Sequence, residues 1–188
     1  YDSADLPRGV AINREGFLAV HAGTFYAERS PEPFFQALLT LRARGGTLSR
    51  QLRVQLYGQK DGRTLGLISR FGLGDVVQHC GYVSHADVLR RLAAANLLLL
   101  VVHSNDVGRI AIPAKLFEYL ALGRPLLALA PLDSEAAELI RQSGSGVVVA
   151  PDDVEGIADA MKRIYEERGG GTMTRRSGAF LRQFERSE

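Results

Sequence analysis

The segment Ile112-Pro-Ala-Lys-Leu-Phe-Glu-Tyr-Leu-Ala-Leu-Gly-Arg-Pro125 holds the densest set of chemistry-bearing residues in this sequence. Pro113 near its start and Gly123 just past its end frame a short helix. On that helix Lys115 and Glu118 stand three apart and share a face. A plain exposed ion pair is one reading. Two features count against it: Lys before Glu is the weaker order, and a cation in the first turn opposes the helix dipole. A cation there becomes favourable if an anion binds, because backbone N–H groups and Lys115 then act together on a phosphate. Glu118, one turn deeper, can accept two hydrogen bonds from a ribose diol. Leu116 and Leu120 are left to face a sheet.

Other chemistries find less support. A dinucleotide fingerprint should follow the first strand, but Gly23-Thr-Phe-Tyr-Ala-Glu-Arg lacks the second and third glycines, and Gly72-Leu-Gly74 follows a helix. There is no Walker A loop and no Gly-x-Ser-x-Gly elbow. His21, His79, His85 and His103 lack metal-ligand spacing and read as satisfied or surface histidines. With the single Cys80, an intramolecular disulfide and a Cys-based zinc site are excluded, so no metal or other cofactor is expected.

The elements that must position Lys115 and Glu118 are legible as alternating apolar runs and capped helical patterns. Strands are expected at Phe17–Ala22, Leu52–Tyr57, Val76–Cys80, Leu97–Val102, Pro125–Ala130 and Gly146–Ala150. Between them, helices are expected from Ser30-Pro31-Glu32 to about Ala43, over about Gly62–Phe71, from the Ser84–Asp87 capping box to Ala95, and over Pro113–Leu122. Two more follow, at Ser134–Gln142 and from an Asp152–Glu155 capping box to about Arg168. Six strands alternating with helices predict an α/β fold with a doubly wound, six-stranded parallel Rossmann-like sheet. Ligands in such sheets bind outside the C-terminal ends of the strands. That singles out Gly23-Thr24, Gly58, Gly81-Tyr82, His103-Ser104 and the turn before Pro113.

At 188 residues, with 46% hydrophobic and 23% charged, the chain can bury a core without staples. The longest apolar stretch, Leu92–Val102, is about half a membrane span. Of the net charge of +2, residues 162–188 carry +3 (seven Lys/Arg against four Glu), leaving the body at −1. The body is therefore no nucleic-acid-binding surface, and any membrane contact would be peripheral. Tyr1-Asp2-Ser3 has no initiator Met and reads as the start of an excised piece. The triplet Gly169–Gly171 divides a domain, 1–168, from an arm, 169–188, in which Phe180, Leu181 and Phe184 share a helical face.

The Lys115 segment resembles the signature of group-one, GT-B-fold glycosyltransferases, in its Pro-x-Lys-Leu-x-Glu-Tyr-Leu-x-x-Gly-x-Pro form. Other features agree in order: Tyr1-Asp2 with Leu6-Pro7, Gly23-Thr24-Phe25-Tyr26 with Arg29-Ser30-Pro31, and Leu56-Tyr57-Gly58. So do Val77-x-His-x-Gly81-Tyr82-Val83-Ser84 and Gly144-x-Gly-Val-Val-Val-Ala-Pro-Asp152. The resemblance implies the C-terminal, donor-nucleotide-binding half of an enzyme that transfers a sugar from a nucleoside-diphosphate sugar. An N-terminal acceptor domain would precede Tyr1, the fragment alone would be inactive, and the arm would cross back onto that domain. Carried over, Glu118 is the ribose ligand, and Lys115 and the helix N-terminus, with Leu116, face the diphosphate. Gly23 and Thr24 allow close approach of the donor, Gly58 lies near the nucleotide, Tyr82 and Val83 sit beside the base, and Arg29 is a second phosphate-binding cation. Lys115 and Arg29 would be catalytic, stabilising the leaving diphosphate by protein charge alone. The widespread signature has a first glutamate eight positions before the second, contacting the transferred sugar. Ile110 stands there, beside Arg109, so neither the sugar nor retention of configuration carries over. A nucleotide-sugar epimerase and a non-catalytic nucleotide-binding module are the alternatives. The expected location is cytoplasmic, with at most peripheral contact on the inner membrane face.

Overall fold

Five consecutive apolar side chains, Leu97–Val101, can all leave water only in a sheet covered on both faces. All five are buried in the computed structural model, which describes residues 3–26 and 29–167. After a 3-10 turn at Ser3–Asp5, the chain runs β1 (Phe17–Ala22), α1 (Glu32–Arg44), α2 (Thr47–Gln51), β2 (Leu52–Tyr57), α3 (Gly62–Arg70) and β3 (Val77–Gly81). It continues through α4 (His85–Ala94), β4 (Leu97–Val101), α5 (Asp106–Ile110), α6 (Lys115–Leu122), β5 (Leu126–Leu129), α7 (Glu135–Ser143), β6 (Gly146–Val149) and α8 (Val154–Glu167). The strands form one parallel sheet in the order β3-β2-β1-β4-β5-β6, the doubly wound arrangement expected.

Strand pleating sends alternate residues to opposite faces. Phe17 and Ala19 join Leu97, Leu99 and residues of α1 and α8 (Phe34, Leu38, Ile157, Met161) in one core layer. Val20, Leu98 and Leu100 pack with α4, α6 and α7 through Leu89, Leu92, Leu116, Tyr119, Leu120 and Ile140 in the other. Because β1 leads to β2 on one side and β4 to β5 on the other, the helices diverge at the β1/β4 junction and leave a crevice at its C-terminal end.

Most caps are those expected. Ser84 Oγ accepts the Asp87 amide at 3.1 Å and Ser134 Oγ that of Ala137 at 3.2 Å. For α1 the cap position falls on Pro31, one residue later than expected, and Ser30 Oγ takes the Glu32 amide at 3.2 Å from just outside the helix. For α8 the cap is Asp153, not Asp152: its Oδ1 takes the Gly156 amide at 2.9 Å. Two short helices, α2 and α5, are additional to the expected set; Asn105 caps α5 through the Gly108 amide. The arm at 169–188, with its apolar face, lies outside the described residues. Among the described residues no helix is long and apolar enough to cross a membrane.

Candidate functional site

Where β1 ends, its last residue meets two side chains of α6. Tyr119 OH accepts the Ala22 amide at 2.8 Å, and Lys115 Nζ donates to the Ala22 carbonyl at 2.8 Å. Tyr119 is fully buried, which pushes its phenol well above the ordinary tyrosine range, so it stays a neutral hydroxyl. The pair fixes the N-terminal turn of α6 against the tip of β1. Replacing Tyr119 by Phe strands the Ala22 amide. The expected loss is about 1–3 kcal/mol of stability, read from denaturant midpoints.

Past this point the chain turns through Gly23 at φ +128°, where a Cβ would stand 2.5 Å from Lys115 Nζ. Gly58, following β2, has φ +154°, and a Cβ there would meet the Gly23 carbonyl at 2.6 Å. The two turns interlock: the Gly23 amide donates to Tyr57 at 2.7 Å and the Gly58 amide to Gly81 at 3.0 Å. Thr24 Oγ1 accepts the Gln59 amide at 3.1 Å. Over these turns lies a cleft of about 400 Å³, lined by Gly23, Thr24, Gly58, Tyr82, Val83 and His85, among others. The volume lies in the range of small-ligand sites. Tyr82 is 80% exposed, a large aromatic face at the rim.

Charge at this crevice is arranged in two groups. Burial first, and then the nearby Arg29 guanidinium, pull the Lys115 ammonium down to about 8; Glu118 partly offsets them. Arg29 stacks its guanidinium over Tyr26, 4.9 Å from the ring centroid, and its buried Nε lacks a hydrogen-bond partner among the described residues. Two cations near one another at a helix N-terminus are mutually unfavourable until an anion joins them. Beyond them, Glu118 Oε1 takes His85 Nε2 at 3.0 Å.

The structure brings Gly23, Thr24, Gly58, Tyr82 and Val83 together in one cleft, with Lys115 against Gly23 and Glu118 joined to the cleft residue His85. Among the described residues Lys115 and Glu118 form no ion pair; their partners are the Ala22 carbonyl and His85. Leu116 is buried in the core and its amide donates to Pro113 at 2.8 Å, so in this conformation neither group is open to a ligand. Ile110 is 78% exposed on α5.

His85 fits the reading of a satisfied or surface histidine: it is more than half exposed and its partner is Glu118. His21 departs from it in part. His21 is buried, donates from Nδ1 to the Leu99 carbonyl at 2.9 Å and stacks on Phe25, yet its Nε2 has no partner among the described residues. Burial, with Lys115 next, holds its imidazole well below the usual histidine range and therefore neutral. His21 lies at an inward position of β1, where periodicity alone could have flagged a buried polar residue beside Gly23.

Comparison with known proteins bears on the fold and the family. The family model described as "Glycosyl transferases group 1" matches residues 16–167. A D-inositol 3-phosphate glycosyltransferase of Nocardioides sp. is 25% identical over 170 residues, covering 84% of this chain and 36% of the relative. An exopolysaccharide phosphotransferase of Streptomyces coelicolor is 32% identical over 114 residues, covering 61% of this chain and 11% of that protein. Among solved structures, a sucrose-phosphate synthase of Thermosynechococcus elongatus superposes with TM-score 0.78 at 19% identity, over 97% of this chain and 46% of that one. Anabaena HepE, solved with UDP and glucose, superposes with TM-score 0.69 at 18% identity, over 98% of this chain and 51% of that one. This chain thus spans about half of those structures and a smaller share of the curated relatives. With the family model matching from the start of β1 to the end of α8, the chain belongs to the group 1 glycosyl transferases.

Proposed function

We propose that this chain is the donor-binding domain of a glycosyltransferase, which holds a nucleoside-diphosphate sugar while a further, N-terminal domain presents the acceptor. The observation that carries the reading is the hydrogen bond that holds the Lys115 ammonium, at the positive end of α6, to the Ala22 carbonyl at the tip of β1, with Arg29 nearby and Glu118 in the same first turn. The diphosphate lies against Gly23-Thr24, where the absent side chain at Gly23 permits close approach. Glu118 accepts the ribose hydroxyls, and Tyr82 and Val83 flank the base beyond Gly58. As the sugar departs, negative charge grows on the diphosphate, and the ammonium and guanidinium stabilise that charge more than they stabilise the ground state. A lone thiol, Cys80, fits a reducing compartment, which supports a cytoplasmic enzyme with at most peripheral contact at the inner membrane face.

Titration calorimetry of Glu118→Ala tests the reading. The variant is expected to bind a ribonucleoside diphosphate about 1.5–3 kcal/mol more weakly than the parent. The 2′,3′-dideoxy analogue is expected to bind both equally. A variant that holds the ribonucleotide as tightly as the parent would make Glu118 a surface carboxylate and remove the ribose from this end of the cleft.

A further inference from the structure

We propose that His85 is a positioning residue for Glu118. Its Nε2–H holds one carboxylate oxygen and so presents the carboxylate to the ribose diol of a bound nucleotide; this rests on the ribose-binding reading of Glu118 given above. An ionised carboxylate can only accept, so in the 3.0 Å contact the proton sits on Nε2. With one oxygen anchored, the second oxygen and the remaining lone pairs stay available to two hydroxyls.

Both ends of this bond stand on rigid supports. His85 is the first residue of α4, whose entry is fixed by Ser84: its Oγ accepts the Asp87 amide at 3.1 Å and donates to Asp87 Oδ2 at 2.7 Å. Glu118 lies in the first turn of α6, held by the buried Leu116, Tyr119 and Leu120. Leu89 and Leu92 of α4 share a core layer with those three residues, so the imidazole and carboxylate are set at a distance neither helix can easily change. The glutamate side chain has three rotatable bonds and is 27% exposed; unanchored, it would sample several rotamers and lose that freedom only on binding. His85 also lines the cleft itself, so one end of the bond stands at its wall.

The test is calorimetry on the 188-residue chain with UDP, GDP, ADP and their 2′,3′-dideoxy counterparts. It uses the parent, His85→Ala, His85→Gln, Glu118→Ala and the double variant His85→Ala/Glu118→Ala. His85→Ala is expected to weaken the ribonucleotide that the parent prefers by about 3–10-fold and to leave its dideoxy form unchanged. His85→Gln, whose amide N–H reaches the position of Nε2, should restore binding to within about twofold. In the Glu118→Ala background, removing His85 should cause no further loss. The inference is overturned if His85→Ala binds the ribonucleotide like the parent while Glu118→Ala does not. It is equally overturned if the dideoxy form weakens in parallel, or if the loss persists without Glu118, since His85 would then act on the ligand directly. Failure of the parent to bind any of the ribonucleotides would take down the nucleotide reading of the cleft and this inference with it. His85 is more than half exposed, and melting curves of both His85 variants should overlay that of the parent.

Discussion

Replacing Lys115 by Met is expected to lower the rate of sugar transfer by the complete enzyme about 10²–10³-fold, with a smaller change in KM. The side-chain volume is kept, and what goes is the charge proposed to face the leaving diphosphate. Because burial and Arg29 pull this ammonium down to about 8, the effect has a pH signature. In the parent, kcat/KM should fall as pH rises through about 8 and the free enzyme's lysine loses its proton. A bound diphosphate favours the charged form, so kcat should fall only at higher pH. Lys115→Met should show neither fall. Stability carries the opposite sign. The folded chain releases this proton near 8 and the unfolded chain near 10.4, so between those values the unfolded state binds more protons. The unfavourable burial of the ammonium is therefore present below pH 8 and is relieved as pH climbs through that window. Thermal melts at pH 7.5 and 10 should show the parent gaining on Lys115→Met. A constant difference between the two proteins would mean that the ammonium is not desolvated at its resting place.

Gly58→Ala should be the most damaging single-methyl change at the site. The residue sits at φ +154°, and the Cβ would press on Gly23 backbone atoms at 2.6 and 2.7 Å and on the Thr24 nitrogen at 3.1 Å. These are main-chain atoms of the neighbouring turn, so relief requires moving the Gly23-Thr24 backbone. An expected loss of about 2–4 kcal/mol combines backbone strain with overpacking. Nucleotide binding should fall by more than the melting temperature alone accounts for, because the displaced turn is the one proposed to carry the diphosphate. Gly45→Ala makes a control: its φ of +68° is also unfavourable, but nothing lies within 4 Å of the added methyl. It should lose stability and keep its affinity. Equal affinity losses in the two variants would detach the Gly23–Gly58 contact from ligand binding.

The sheet was legible because its signals are local. Leu97–Val101 is an unbroken apolar run, and Ser84, Ser134, Gly123 and Gly144 mark helix ends by their own backbone chemistry. Where two residues offered the same signal, as Asp152 and Asp153 do, spacing could not choose between them. The five-residue helices α2 and α5 are too short to show a period of 3.6, although Asn105-Asp106 carries a cap signal ahead of α5. The Lys115 segment suggests anion binding through the mismatch between a cation and a helix N-terminus, and in the structure Lys115 stands against Gly23 and Glu118 against the cleft residue His85. What could not be read is who partners them. His85 and Glu118 are 33 residues apart on different helices, and Lys115 and Ala22 are 93 apart. Those pairings come from the strand order, which sets β4 beside β1 and so brings α6 to the tip of the first strand.

The hydrogen bond from Lys115 to the Ala22 carbonyl bears on how affinity and folding share free energy. A lysine side chain carries about 2 kcal/mol of rotamer entropy, and an ammonium has three donors, of which a carbonyl engages one. The cation is thus immobilised when the chain folds, with donors to spare, and a ligand need neither order it nor break its existing bond. The entropic loss falls on the stability of the domain instead of on the binding step. Substitutions far from the cleft that loosen α6 against β1 should therefore weaken anion binding without touching any residue near the ligand.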